Sequence, residues 1–460
     1  VPLIKSISGI RGTIGGKPGE GLTPLDVVRF VSAFGTLLGK KSAKRQIIVG
    51  RDGRISGELL NHLVISTLIS LGWNVKDLGL STTPTVEIAV QMEDAAGGII
   101  ISASHNSQEW NALKLLNSEG EFLSQEDGTM LLELAARDKA SYAPITALGT
   151  CIKDDTYLRK HIDIILQHPL VDQKAISKGN FKVILDAINS TGAIFVPALL
   201  KALGVRDIQV IFEEVNGRFA HNPEPLPENL IALAGEVKKK NADLGIAVDP
   251  DVDRLCFVCE DGSMFGEEYT LVAIADYVLG KRKGNTVSNL SSTRALKEIT
   301  LKHGGEYFSS AVGEVNVVRR MKEVNAVIGG EGNGGIILPD LHYGRDALAG
   351  IALFLSHLSQ TKKGTKALRS QYPDYYISKN KIELQGGIDS KKLFEKIRDK
   401  YKNNPVNCED GLRIEFDGDW VHLRISNTEP IIRIYAESRY ATTADNIARR
   451  IMQDIHEFNH

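Results

Sequence analysis

The chain has 460 residues, with 55 Lys and Arg against 57 Asp and Glu and a net charge of -2. That balance excludes a broad nucleic-acid-binding face, while leaving room for a small basic pocket that would hold one phosphate. At 42% hydrophobic and 24% charged residues, the composition is that of a globular protein too long for a single core, and length alone gives roughly three domains.

QIIVGRD (46–52) predicts a buried strand and 56–71 a helix. WNVKDLGL predicts a second strand, TPTVEIAVQM a helix and AAGGIIISAS a third strand. A polar loop follows, and residues 124–127 then form a capping-box-like start to a helix ending near Arg137. This alternation predicts βαβ units on a mostly parallel sheet. The pattern restarts near residue 150 with the helix DTYLRKHIDIIL, the strand FKVILDA, a helix over 192–203, the strand DIQVIFEEV, the helix PENLIALAGEVKKKN and the strand LGIAVDP. A third round runs from Tyr269 to the helix RDALAGIALFLSHLSQ. From Tyr372 the pattern changes to a strand (YYISKNKIEL), a helix over 389–402, and GLRIEFDGDWVHLRISNTEPIIRIYAES. That last segment alternates apolar and polar residues around turn signals, so it predicts antiparallel hairpins. The organisation expected is four domains over 1–149, 150–255, 256–370 and 371–460. The first three are α/β with mixed, mostly parallel sheets, and the fourth is a smaller α+β unit.

The start, VPLIKSISGIRG, has no long apolar run and no small-residue cleavage site, so no signal peptide is expected. No stretch reaches the ~18 apolar residues of a membrane span, and no membrane partner is expected. Cys151, Cys256, Cys259 and Cys408 are too few for a disulfide scaffold and fit a reduced cytoplasm. Cys256 and Cys259 lie in LCFVC, where an offset of three turns them to opposite faces of a strand. No second pair completes a zinc site, so two half-buried cysteines are expected.

Each α/β unit sends one apolar strand into a polar loop: GGIIISAS into HN, LGIAV into DPDVD, AVIGG into EGNGG. Ligands of open parallel sheets bind at the carboxyl ends of strands, so three such loops and a fourth domain are expected to surround one cleft. In DPDVD, Asp249, Asp251 and Asp253 repel one another unless a cation or basic groups neutralise them, and hard oxygen ligands select Mg²⁺ or Ca²⁺. An EF-hand is excluded, because Arg254 stands where that loop needs glycine. A solvated acidic turn is the alternative. RISNTEPIIR (424–433) places Arg424 and Arg433 at the ends of a tight turn, an arrangement suited to a phosphate; the bland alternative is a hairpin with surface arginines. GGEGNGG (329–335) brings Glu331 and Asn333 onto a loop whose glycines permit close approach, suited to sugar hydroxyls. In ISASHNSQEWNALK (101–114) there is no G-x-S-x-G elbow, and the adjacency of Ser104 and His105 does not make a triad. The alternative there is a serine capping a following helix.

Together, SASHN, DPDVDR, GGEGNGG and RISNTEP, in that order and at domain-scale spacing, resemble the α-D-phosphohexomutase superfamily, and the resemblance spans nearly the whole chain. It implies four domains around a central cleft and a phosphoryl group carried on Ser104. Asp249, Asp251 and Asp253 then hold Mg²⁺ together with an oxygen on Ser104, and Glu331 binds the sugar. Arg424, Ser426, Asn427, Thr428 and Arg433 grip the substrate phosphate. Arg11 and Lys114 are active-site basic residues, with Lys114 the acid/base candidate provided its pKa is lowered toward neutrality. Arg254 lies beside the metal loop. The implied reaction moves a phosphoryl group between the 6 and 1 positions of a hexose through a bisphosphorylated sugar, which also serves as activator. The SGIRGTIGGK start points to glucosamine phosphate; phosphomannomutase/phosphoglucomutase activity is the alternative, and a noncatalytic sugar-phosphate binder is a rival of a different class. The partner implied is a small phosphosugar. Two departures stand out. Ser107 replaces a usual proline, and Asn333 and Gly335 replace the usual serine and histidine of Gly-Glu-x-Ser-Gly-His, leaving His105 and His342 as candidates for the missing imidazole.

Overall fold

The computed structural model describes residues 3–6, 9–137, 140–383, 390–425 and 431–458. The first sheet has seven strands in the order Ile4–Ser6, Gly9–Thr13, Trp110–Leu116, Gly97–Ile101, Gln46–Arg51, Asn74–Leu80 and Cys151–Lys153. Gln46–Arg51 pairs in parallel with both of its neighbours, and Cys151–Lys153 joins Asn74–Leu80 in parallel. The opposite edge is an antiparallel run from Gly97–Ile101 outward. Separate apolar cores lie on the two faces, one built on the helices Pro24–Lys41, Gly57–Ser70 and Gln125–Arg137, the other on the helix Thr83–Met92. Burial on both faces is why Gly97–Ile101 reads as a continuous apolar run.

The second sheet orders Leu255–Cys259, Leu244–Val248, Lys182–Asp186 and Asp207–Ile211; the third orders Tyr307–Ser310, Asn285–Asn289, Ala326–Glu331 and Gly335–Ile337. All three α/β sheets share one device. The parallel strand that leads into a motif turns back as an antiparallel hairpin, pairing Gly97–Ile101 with Trp110–Leu116, Leu244–Val248 with Leu255–Cys259, and Ala326–Glu331 with Gly335–Ile337. The three motif loops are therefore hairpin tips at carboxyl strand ends, where such sheets bind ligands. The fourth sheet is antiparallel throughout, in the order Tyr376–Glu383, Ile431–Ser438, Trp420–Ile425, Leu412–Glu415 and Val406–Asn407, and packs on the helices Ser390–Lys400 and Ala441–Phe458.

The second and third sheets share a single apolar core. Its centre is Phe257 stacked on Phe354, with ring centroids 3.8 Å apart. Phe354 lies on the helix Ala347–Thr361, which is buried nearly all round, as a helix apolar on every face must be. Asp346 caps that helix by accepting from the N–H groups of Leu348 and Ala349.

Three details differ from the sequence reading. The polar loop expected after Gly97–Ile101 contains the strand Trp110–Leu116, hidden because Asn111 and Lys114 break its apolar run. The first sheet takes in Cys151–Lys153, past the 149/150 boundary, and the second takes in Leu255–Cys259, across 255/256. Cys256 and Cys259 do face opposite sides of their strand, but both are fully buried rather than half-buried, since the two faces of the sheet carry separate cores. Among the described residues, no helix is long and apolar enough to cross a membrane.

Candidate active site

Ser104 is buried and has φ of +48°, a left-handed backbone that side chains other than glycine rarely adopt. Neighbouring groups fix that conformation. Its N–H donates to Ser102 Oγ at 2.9 Å, and the Ser102 hydroxyl donates to Asp52 at 2.7 Å. The Arg54 guanidinium donates to four carbonyl oxygens of the loop, those of Ser104, Asn106, Ser107 and Trp110, at 2.6–2.8 Å, and through Nε to Asp52 at 3.1 Å. Arg54 and Asp52 are both fully buried. Burial raises the Asp52 pKa and lowers that of Arg54, and each charge offsets this for the other. No helix follows the serine, so the capping alternative falls away. Ser104 Oγ is free of any capping duty and donates to Asp249 Oδ2 at 2.5 Å.

Asp249, Asp251 and Asp253 have no solvent exposure, and one oxygen from each lies within 4.8 Å of the others. Val252 between them has φ of +60°, an outlier for a β-branched residue, in the turn that brings the carboxylates together. Asp249 Oδ1 accepts from the N–H groups of Asp253 and Arg254. Asp251 Oδ1 and Asp253 Oδ1 have no hydrogen-bond partner. Burial and the charges of Asp253 and Asp251 push Asp249 well above the usual carboxylate range. Buried, orphaned carboxylate oxygens converging beside a hydroxyl are the donor set of a hard dication, and the residues present fit Mg²⁺.

The first domain grips this loop through the start of the helix Thr83–Met92. Thr83 N–H donates to the Asp251 carbonyl at 2.9 Å and Thr83 Oγ1 to its carboxylate at 2.6 Å. Lys114 Nζ donates to Asp251 at 2.5 Å and to Asp253 at 3.1 Å. Burial opposes its charge, but those carboxylates outweigh burial and raise its pKa above the ordinary value. The lowered pKa that a base would need is therefore not the direction found; Lys114 sits here as an ammonium. His105 Nδ1 lies 3.4 Å from Ser104 Oγ. Burial first, then Arg254 and Arg11, hold its pKa well below the ordinary value, so its imidazole is neutral. Arg11 donates to Asn106 Oδ1 at 2.8 Å. Burial and Arg254 lower its pKa to about 10, which leaves it charged at neutral pH. Arg254 pairs with Glu224 at 3.0 Å.

In the third domain Glu331 Oε1 accepts from Asn289 Nδ2 at 2.8 Å and Gly313 N–H at 3.0 Å, and Oε2 accepts from Arg345 Nη1 at 2.9 Å. A carboxylate offers about four lone-pair sites, so capacity for a sugar hydroxyl remains. Asn333 Oδ1 accepts from Gly335 N–H at 3.2 Å, closing the loop's own turn. His342 does not reach this loop: it is buried between Glu87 and Asp346, 3.3 Å from each. In the fourth domain Arg424 and Arg433 are directly opposed on paired strands, and Arg424 lies 3.3 Å from Asp410. Ser426, Asn427 and Thr428 lie outside the described residues. Asp52, Arg54, Glu224, Asn289, Glu314 and Arg345 were not picked out from the sequence. The one available signal was position, since Asp52 and Arg54 directly follow the strand Gln46–Arg51, at its carboxyl end.

Three hairpin tips carry the Ser104 hydroxyl, three clustered carboxylates and Glu331, and paired strands of the fourth sheet oppose Arg424 and Arg433, an arrangement suited to handling a phosphorylated ligand on a four-domain scaffold. The chain matches the phosphoglucomutase/phosphomannomutase models for α/β/α domain I over residues 4–141, domain II over 159–262, domain III over 266–376 and the C-terminal domain over 383–454. It belongs to that family, within the α-D-phosphohexomutase superfamily, and is a phosphohexomutase, an isomerase. It is 36% identical over 435 residues to the phosphoglucomutase/phosphomannomutase of Thermococcus kodakarensis, covering 93% of this chain and 94% of that one. It is 32% identical over 450 residues to the phosphoglucosamine/phosphogalactosamine mutase of Sulfurisphaera tokodaii, covering 96% and 97%. A phosphoglucomutase/phosphomannomutase family protein of Burkholderia thailandensis superposes with a TM-score of 0.84 at 24% identity, over 98% of this chain and 97% of the other, and shares the fold.

Proposed function

We propose that the chain interconverts glucosamine 6-phosphate and glucosamine 1-phosphate through phospho-Ser104. The observation that carries the phosphoserine reading is the direct contact of Ser104 Oγ with Asp249, inside the one set of three carboxylates among the described residues close enough together to share a metal ion. In the first half-reaction the P–Oγ bond of phospho-Ser104 breaks and a bond forms to the free sugar hydroxyl, whose proton passes to a base. The resulting bisphosphorylated sugar turns over in the cleft, and its other phosphate returns to Ser104. A Mg²⁺ ion held by Asp249, Asp251 and Asp253 would neutralise charge developing on the transferring group.

The remaining roles belong to the chain. Arg54 and Ser102 hold Ser104 in its strained conformation, so the oxygen is oriented before substrate arrives. A dication sharing Asp251 and Asp253 would divide their support of Lys114, and like-charge repulsion would favour the neutral amine that a base needs. Neutral His105 is the second acceptor within reach of Ser104 Oγ. Arg11 and Arg254 place positive charge at the donor end, while Arg424 and Arg433 take the distal phosphate. A sugar bisphosphate serves as activator by loading Ser104.

The glucosamine assignment rests on the SGIRGTIGGK start, and the mutase of Sulfurisphaera tokodaii supports it. Glucose and mannose phosphates are the second reading, favoured by the 36% identity to the Thermococcus kodakarensis protein. Coupled mutase assays on the three hexose phosphates, with Mg²⁺ and a bisphosphate activator, separate them. The highest kcat/KM is expected for glucosamine phosphate, and a preference for glucose or mannose phosphate would reverse the assignment.

A further inference from the structure

Arg345 stands where the sugar loop and the metal loop meet, and it faces a carboxylate with each of its guanidinium nitrogens. Nη1 donates to Glu331 at 2.9 Å and Nη2 to Asp253 at 2.7 Å, while Nε lies 3.1 Å from Glu314. Its side chain is 10% exposed. Its stem runs over Gly335, where a Cβ would sit 2.2 Å from Arg345 Cδ and 3.2 Å from Asn333 Oδ1. Any side chain at 335 therefore displaces an arginine that is anchored at three points. The glycine and the arginine therefore form one arrangement.

We propose that Arg345 is a positioning residue: it holds the Glu331 carboxylate in fixed register with the Asp253 arm of the cation site, and Gly335 keeps the space for it. The proposal rests on the phosphohexomutase reading and on Glu331 as the sugar-binding carboxylate. Two consequences follow, and they have opposite signs. Removing the guanidinium frees Glu331 to turn away from the sugar, which weakens phosphosugar binding. It also removes a positive charge 2.7 Å from a cation ligand, which strengthens dication binding. A general loosening of the cleft would weaken both.

The test is calorimetric titration of wild type, Arg345→Gln, Arg345→Lys, Gly335→Ala and the Gly335→Ala/Arg345→Gln double variant with Mn²⁺ alone and with glucosamine 6-phosphate, alongside kcat and KM. Thermal unfolding confirms that each variant is folded. For Arg345→Gln the phosphosugar dissociation constant is expected to rise about tenfold or more, as loss of a charge-assisted bond predicts, while Mn²⁺ binds as tightly or severalfold more tightly. Arg345→Lys recovers only part of the phosphosugar affinity, because an ammonium cannot fork between two carboxylates. Gly335→Ala behaves like Arg345→Gln, and the double variant is no worse than either single one. Phosphosugar binding within twofold of wild type in Arg345→Gln, a parallel loss of Mn²⁺ and phosphosugar affinity in folded protein, or additive losses in the double variant would each overturn the proposal. If wild type instead converts no hexose phosphate, the proposed function fails, while the Mn²⁺ titrations still report on the pairing of Arg345 with Asp253.

Discussion

Arg54 ties together a loop whose own hydrogen bonds join only near neighbours. Four carbonyls spread over residues 104–110 converge on one guanidinium whose charge is balanced by Asp52. Removing one member of a buried ion pair strands the other, at a cost of about 3–5 kcal/mol. Arg54→Met is expected to lose about that much in urea unfolding, and Arg54→Lys to recover little of it because the fork is lost. Stability within 1 kcal/mol of wild type for Arg54→Met would show that the loop holds itself. At this scale the sequence is legible where chemistry is contiguous. Ser104 and the three aspartates occupy short runs, so their types and spacing can be read directly. Arg54 and Arg345 cannot be read that way, because their partners lie 50 and 92 residues away at Ser104 and Asp253. Lys114 was legible as a residue but not as an ammonium, since its state depends on carboxylates in another domain.

Among the secondary-structure elements, the helix Thr83–Met92 joins three domains through a buried polar seam. Thr85 Oγ1 and His161 Nδ1 are 2.9 Å apart, and His161 Nε2 lies 3.0 Å from Asp346. Asp346 also contacts His342, whose other nitrogen faces Glu87. Burial raises Glu87 to about 8. Burial opposes the charge of His342, but its hydrogen bond with Asp346 and the nearby carboxylates of Glu87 and Asp346 prevail and raise it from 6.5 to about 10. Groups whose folded pKa lies above the unfolded value contribute stability that is complete below the unfolded value and is lost as pH rises through the folded one. Stability is therefore expected to fall from about pH 4.5, through the Glu87 shift, to about pH 10, through the His342 shift, and His342→Gln should flatten the part of that fall above pH 6.5. Urea unfolding across this range checks it; an equal slope in wild type and variant would contradict it. Sequence periodicity identifies this helix well, with TPTVEIAVQM matching Thr83–Met92. The strand Trp110–Leu116 escapes because buried Asn111 and Lys114 break its apolar pattern in order to serve the site.

Across the whole molecule, three rounds of strand and helix followed by a hairpin-rich end were readable as four domains, because layer architecture follows from the order of elements. The fusion of the second and third domains was not readable. It depends on Phe257 and Phe354 meeting across 97 positions of chain, and periodicity carries no such pairing. A fragment spanning 155–262 is expected to lack a cooperative thermal transition, since it exposes half of a shared core, whereas 155–375 is expected to unfold cooperatively. A sharp transition in the shorter fragment would contradict the shared-core account. By contrast, the fourth domain meets the third through polar contacts such as Ser291 Oγ with His422 Nδ1 at 2.8 Å and Val312 N–H donating to Asp410 at 2.9 Å. Polar interfaces of this kind accommodate domain motion, and opening there would admit and release ligand around the Arg424–Arg433 pair.

The claim on which the account turns is that Ser104 carries the phosphoryl group, and intact-mass measurement after incubation with a hexose bisphosphate and Mg²⁺ tests it most directly. Wild type should gain the mass of one phosphoryl group and lose it on exposure to excess hexose monophosphate, while Ser104→Ala should gain none and show no mutase activity. Equal phosphate uptake by Ser104→Ala, or full mutase activity without that hydroxyl, would contradict the account.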